Sequence, residues 1–155
     1  MILYGETLIM TIKKANENDK EFVLYANKMI DKASYIENSN LYQNIDRDLF
    51  ENGKAVCLVA KESGQNIGMI MFSKVYWADR GQGIYVSQIF VEKEYRQKGV
   101  FKKLLKTAIN YYKTTRFFTC LVSRKNKKML CCMKKLRCKD ENMSTFVLNV
   151  EDLRF

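Results

Sequence analysis

The sequence predicts a single domain of mixed α/β (α+β) class, with a central twisted, mostly antiparallel sheet flanked by helices. Three observations carry that expectation. Short apolar, partly β-branched runs alternate with segments of helical periodicity. A Ser-Gly-Gln-Asn turn joins two of the runs as a hairpin. A strand, a basic loop, an amphipathic helix and a further strand then follow one another from Ile84 to Ser123, the order of a parallel, right-handed crossover. The chain of 155 residues is long enough for one core that buries roughly two thirds of the unfolded surface.

Taken in order, "TIKKA" (Thr11 to Ala15) reads as the first strand. In "NENDKEFVLYANKMIDKAS", Asn16 or Asn18 caps a helix, Glu17, Asp19 and Glu21 suit its positive end, and Phe22, Tyr25, Ala26, Met29 and Ile30 recur at helical spacing. "IDRDLFENG" reads as a short second helix stopped by Gly53. "AVCLVAKE" and "IGMIMFSKVYW" form the hairpin, and "ADRGQGI" makes another turn, with Gly81 and Gly83 as its glycines. "IYVSQIFV" is the fourth strand. Lys98 to Tyr112 form a helix with Val100, Leu104, Leu105, Ala108, Ile109 and Tyr112 on its apolar face. "FFTCLVS" is a fifth strand, "NKKMLCCMKKL" a basic helix capped by Asn126, and "STFVLNV" a last strand. Residues 1–10 form an N-terminal extension, and the domain spans 11–155.

Composition excludes several functions. The chain has no histidine, so it contains neither a Ser-His-Asp nor a Cys-His catalytic set and no histidine metal site. Five cysteines in irregular spacing, without a C-x-x-C pair, argue against a zinc site and a disulfide framework, and for a reducing, cytoplasmic setting. The apolar runs fall well short of a membrane span of about 18 residues, and the start lacks the basic leader of a secretory signal. No membrane partner is expected. The net charge of +10 is uneven: residues 1–92 hold ten Lys/Arg against twelve Asp/Glu, and residues 93–155 hold seventeen against five. The ten basic residues from Lys113 to Lys139, with no acid among them, suit a polyanion such as a phosphate-bearing cofactor or nucleic acid, or else a solvated helix face.

The stretch Glu94-Tyr95-Arg96-Gln97-Lys98-Gly99-Val100-Phe101 carries the clearest chemistry. A helix start exposes unpaired N–H groups and partial positive charge, and a glycine there lets a ligand approach the backbone. Arg96 and Lys98 add charge. The expectation is a phosphate or pyrophosphate site, against the alternative of an ordinary solvated loop. The Walker pattern is absent, and Gly81-x-Gly83 precedes a strand rather than a helix, which is the wrong order for a dinucleotide fingerprint.

The arrangement resembles motif A of the GNAT superfamily of acyl-CoA-dependent N-acyltransferases, in which a strand ending in V-x-x-x-Y-R-G-x-G-[IV]-[GA] enters a long helix. Val91, Tyr95, Arg96, Gly99 and Val100 match. The likeness extends over nearly all of Thr11 to Val150, through "TIKKANENDKE", "CLVAKESGQNIGMIMF" and "LVSRKNKKMLCCMKKLRC". It implies a GNAT-like single domain and an N-acetyltransferase that uses acetyl-CoA as co-substrate. The backbone of Ile89, Phe90 and Val91 would pair with the pantetheine arm. The amides of Arg96, Gln97, Lys98, Gly99, Val100 and Phe101 would wrap the pyrophosphate, and Asn126 would open the family's closing motif on the cofactor side.

The departures are as informative. Gln97 and Phe101 stand where the motif has glycine, and Phe101 would either crowd the diphosphate or pack beneath it. The family's tyrosine, often the acid that protonates the departing thiolate, falls on Met133, which has no proton to donate; Cys132 is the nearest candidate donor. Among superfamily members the chain is most similar to diamine acetyltransferases, whose acidic pair on the fourth strand falls here on Ser87 and Gln88. Without those acids and within a basic segment, a polycationic acceptor is disfavoured, and a primary amine on a neutral or acidic small molecule or protein is expected. Tyr76 and Trp77 either line the acceptor pocket or pack the strand ends. Two other readings stay open: an acyl-CoA-binding module without catalysis, and a basic nucleic-acid-binding protein. A homodimer is compatible with either.

Overall fold

The computed structural model describes residues 9–34 and 41–142. Five strands form one sheet in the order β1-β2-β3-β4-β5: β1 Met10–Lys14, β2 Val56–Glu62, β3 Gln65–Trp77, β4 Gly81–Val91 and β5 Phe118–Thr119. The first four pair antiparallel, and β5 joins β4 in parallel through Ile84 with Phe118 and Tyr85 with Thr119. The expected crossover is therefore present, with α3 (Val100–Ile109) between β4 and β5. The last predicted strand, "STFVLNV", lies outside the described residues.

Each face of the sheet buries its own cluster. On one, Val100, Leu104, Leu105 and Ala108 of α3 meet Leu58, Ile70, Phe72, Ile84, Val86 and Val91. On the other, Val23 and Ala26 of α1 (Lys20–Ser34) and Ile45 meet Cys57, Val59, Met69, Met71 and Phe90. Strand residues alternate between the two, as the pleat requires. A buried polar tie fixes the start of α1: the Asp19 carboxylate, 1% exposed, accepts from the Lys61 ammonium at 2.5 Å, the Asn66 amide at 3.1 Å and the Asn16 backbone at 3.1 Å.

Four elements differ from the sequence expectation. The buried stripe of α1 is rotated: Val23, Ala26, Asn27 and Asp31 face inward, while Tyr25 and Met29 are exposed. Polar residues reach that face because the buried Asn27 amide is satisfied locally, donating to the Val23 carbonyl at 2.8 Å. The "IDRDLFE" segment, Ile45–Glu51, follows the short α2 (Leu41–Asn44) as a wide π-type turn. The third helix runs over Val100–Ile109 rather than from Lys98 to Tyr112. Left-handed Gln97 and Gly99 delay its start, and beyond it Tyr111 and Tyr112 set their rings edge-on against Phe72. The fifth strand keeps two residues of the expected seven because β4 turns away from it.

Candidate active site

The turn of β4 has one cause. Met71 pairs with Gln88 and the next residue, Phe72, with Val86, so Ser87 is an extra residue with no partner on β3. Such a bulge bends the strand and increases its twist, and β4 and β5 stop pairing just before it, at Tyr85 and Thr119. The bulge also changes which backbone groups face outward. Before it, the Ile84 N–H and the Gln82 carbonyl are turned to the β5 side, bonded to the Phe117 carbonyl and the Arg116 N–H. After it, the Glu92 N–H bonds Ile67 of β3 at 2.9 Å. By strand alternation the backbone groups of Val91 and Ile89 then point away from β3, along the splayed edge. Arg96 confirms the parity, its Nε donating to the Val91 carbonyl at 2.9 Å.

The basic loop lies at the end of this edge. Tyr95 anchors it, packing on the α3-side core; the Glu62 carboxylate raises its phenol pKa, and the Lys98 ammonium lies over its ring. Gln97 (φ 63°) and Gly99 (φ 82°) both adopt the left-handed conformation, with Lys98 between them. Alternation of this kind turns successive N–H groups to one concave side. Among the described residues, no acceptor takes the backbone N–H of Gln97, Lys98, Gly99, Val100, Phe101 or Lys102. A Cβ built on Gly99 would meet no atom within 4 Å, so the space above this backbone is open. Phe101 turns inward and packs against the core cluster. Arg96, Gln97, Lys98 and Gly99 are thus contiguous, exposed and electropositive, while Val100 and Phe101 turn their side chains to the core, and the arrangement fits an anionic, phosphate-bearing group.

Ser87 and Gln88 sit at the bulge, beside the splay. Gln88 shares strand parity with Phe90, which packs against Phe22 and Tyr25 of α1, so its side chain is on the α1 face of the sheet. Tyr76 and Trp77 are elsewhere, opposite Gln82 and Gly81 at the far end of the hairpin. At about 3.4 Å per residue they lie roughly 17 Å along β3 from the bulge. Trp77 stacks on Phe117 and carries the Arg80 guanidinium over its ring, while Tyr76 is 73% exposed.

The short helix α4 (Lys127–Lys135) is capped by Asn126, whose Oδ1 accepts from the Met129 N–H at 3.1 Å. Its Met133 thioether meets the Cys120 thiol just beyond β5, at 3.7 Å. Burial pushes the Cys120 thiol up, and Cys138 adds to the shift; burial likewise pushes up the phenol of Tyr85, on the last β4–β5 rung. These groups are held protonated. Cys132 is half-buried on the same helix, next to Met133.

One charged residue was missed by the sequence reading. Asp31 of α1 is 9% exposed and, among the described residues, has no hydrogen-bond or ion-pair partner. Its signal in the sequence was an acid eight residues after Val23, on what proves to be the buried stripe.

No curated protein matches the chain. Solved structures match its fold over nearly the whole length. A possible acetyltransferase from Clostridium difficile 630 superposes with a TM-score of 0.74 at 18% identity, covering 92% of this chain and 98% of that one. Aminoglycoside N-acetyltransferase AAC(6')-Iy in complex with CoA gives 0.75 at 17% identity, covering 97% and 99%. A predicted acetyltransferase with acetyl-CoA from Clostridium acetobutylicum gives 0.69 at 18%, covering 95% and 100%. At this identity the structures establish the fold, and the sequence establishes the family. With residues 21–136 matching the model of the acetyltransferase (GNAT) family, the chain belongs to that family.

Proposed function

We propose that the protein transfers an acetyl group from acetyl-CoA to the primary amine of a neutral or acidic acceptor, by direct attack in a ternary complex. The observation that carries this reading is the row of unpaired N–H groups from Gln97 to Lys102, set at the end of the open β4 edge. Structural neighbours with CoA and acetyl-CoA bound support the choice of co-substrate. Acetyl-CoA supplies an activated acyl group on a thiol leaving group.

The chain's own residues then have distinct tasks. The loop amides from Gln97 to Phe101 hold the pyrophosphate without a metal; the Arg96 amide, expected among them, is instead taken by the Lys93 carbonyl at 3.3 Å. The outward backbone of Ile89 and Val91 pairs with the pantetheine arm, and an amide of this edge polarises the thioester carbonyl as negative charge develops there. Ser87 and Gln88 border the acceptor and, being uncharged, exert no selection for a polycation. Five free cysteines suit a reducing cytoplasm, and among the described residues no helix is long and apolar enough to cross a membrane.

Met133 at the family's acid position favours one second reading, an acyl-CoA-binding module without catalysis. Calorimetry and thiol release separate the two. Binding of acetyl-CoA together with thiol release in the presence of a panel of amino acids, amino sugars and peptides is the expected result. Binding with no release across the panel selects the module, and no binding of CoA or acetyl-CoA at high micromolar concentration rejects both.

A further inference from the structure

The acceptor side of β4 has no carboxylate, because the strand positions that would carry one are Ser87 and Gln88. A carboxylate does lie over this part of the sheet, on a different element. The path of α1 locates it. Asp19, just before the helix, bonds Asn66 near the start of β3, and Phe22 and Tyr25 then pack on Phe90. The helix therefore runs along β3 in the strand's own direction and against that of β4. Asp31 is six residues past Tyr25, about 9 Å further along the axis at about 1.5 Å per residue. Counted back from Phe90 at about 3.4 Å per residue, the same distance reaches Gln88 and Ser87. Asp31 is on the sheet-facing stripe with Val23, Ala26 and Asn27, and Gln88 presents its side chain to that same face. By this count Asp31 stands level with the bulge, on the sheet face that Gln88 shares.

Nothing in the fold rewards an acid at this position. Asp31 is about nine-tenths buried, has no hydrogen bond or ion pair with any of the described residues, and lies in the last turn of α1, where the helix dipole disfavours an anion. Burial pushes its carboxyl above the usual range. The sheet residues of that cluster, Met69, Met71 and Phe90, are apolar. Among the described residues Asn66 Oδ1 is the only buried side-chain oxygen or nitrogen without a partner, so the Asp31 oxygens are not sealed off, and a carboxylate that reaches solvent from a mostly buried side chain can receive an incoming cation.

Resting on the acetyltransferase reading above, we propose that Asp31 is the acceptor-side carboxylate, receiving the ammonium of an acceptor with a single positive charge and taking its proton. Asp31 accepts one proton from R–NH3+, leaving R–NH2. The amine lone pair forms the new C–N bond at the thioester carbonyl, and the C–S bond breaks as the thiolate departs. The proton lost by the nitrogen accompanies the sulfur, and the proton on Asp31 returns to solvent. One carboxylate holds one ammonium, so the acceptor class is a monocationic primary amine whose remainder is neutral or anionic.

Three measurements on the full chain test this. Asp31→Asn should bind acetyl-CoA as the wild type does and melt no lower, yet lose about 100-fold or more in thiol release with the best amine of the panel, with Asp31→Glu recovering part of the loss. In the wild type loaded with CoA, methylammonium as probe should displace the carboxyl carbon resonance of labelled Asp31 in a saturable way. A D31N rate within about threefold of wild type, or an Asp31 resonance indifferent to methylammonium, overturns the proposal. Absence of turnover for the wild type on every amine, with the resonance still responding, rejects the enzymatic reading and retains Asp31 as an ammonium site.

Discussion

The Ser87 hydroxyl donates to the Met71 carbonyl at 3.2 Å, across the step at which β3 and β4 lose register. This bond ties down the extra residue of the bulge, and it uses a side chain that stands where the diamine enzymes resembled by the sequence have an acid. Ser87 is exposed and Gln88 half-buried, so acids there would remain hydrated. Replacing both, S87E together with Q88E, should raise kcat/KM for a diamine relative to a neutral monoamine by about tenfold, or about 1.4 kcal/mol in transition-state discrimination. Thiol release with matched amines reads the ratio, and an unchanged ratio would remove these positions from the acceptor site.

Gln97 and Gly99 share a left-handed backbone but not a side chain. A non-glycine residue held there costs about 1–2 kcal/mol, offset in part by the extra freedom glycine gives the unfolded chain. Gln97→Gly should therefore leave stability unchanged or raise it by up to about 1 kcal/mol while preserving acetyl-CoA affinity. Gly99→Ala should cost about 1 kcal/mol in stability. Because the space above Gly99 is empty of protein, the added methyl should also weaken acetyl-CoA binding, by a larger factor than its effect on folding. Thermal melts and calorimetry on the two variants check both halves.

Asp19 and Asp31 should give opposite pH dependences. Burial raises the Asp19 pKa, but the Lys61, Asn16 and Asn66 hydrogen bonds outweigh it and the net shift is downward. The stability it contributes is complete above the ordinary carboxylate value of about 3.9 and is lost as pH falls through its lower folded value. Asp31 is shifted upward by burial, so its penalty is absent below about 3.9, grows as pH rises to its folded value and is constant above. D19N should lower the melting temperature at pH 7, and D31N should raise it. Both differences should shrink at acid pH, and melts across a pH series would reveal a reversed sign in either.

Gly83 lies where β4 first meets the β5 side. A Cβ there would stand 2.7 Å from both the Phe117 ring and its carbonyl, while the adjacent Ile84 N–H bonds that same carbonyl. Gly83→Ala should destabilise by about 1–3 kcal/mol, the usual range for overpacking. Denaturant unfolding measures the loss, and an effect under about 0.5 kcal/mol would mean that β5 yields freely.

Met133, on which the motif resemblance places the family's acid, meets the Cys120 thiol. Met133→Tyr restores a phenol on α4 and should raise kcat for thiol release by about tenfold or more if protonation of the leaving group limits the rate. Cys132→Ser should leave kcat within about twofold if Cys132 is not that acid, and a loss of about 100-fold would assign the role to it.

The sequence by itself determined the local elements and the phosphate loop. The apolar, partly β-branched runs "VCLVAKE" and "GMIMFSKV", the turn at Ser63-Gly64 and the helical spacing from Val100 to Ala108 all act through neighbours within a few residues, so they are legible in order along the chain. The loop was legible for the same reason, since Tyr95, Arg96 and Gly99 act through contiguous backbone. Tertiary structure decided what depends on register and on contacts between distant segments. The bulge at Ser87 is a mismatch between two strands and has no one-strand signature, yet it opens the β4 edge and turns Ile89 and Val91 outward. The length of the hairpin sets Ser87 and Gln88 apart from Tyr76 and Trp77, which the sequence reading left open between the acceptor pocket and strand-end packing. The phase of α1 was misjudged because aromatic Tyr25 outweighed polar Asn27 and Asp31 in a periodicity count, whereas in the fold Asn27 satisfies itself on its own helix and goes inside. Only the docking of α1 along β3 brought Asp31, some 56 positions before Ser87, to the level of the bulge, because helix and strand advance along the sheet at different rises per residue.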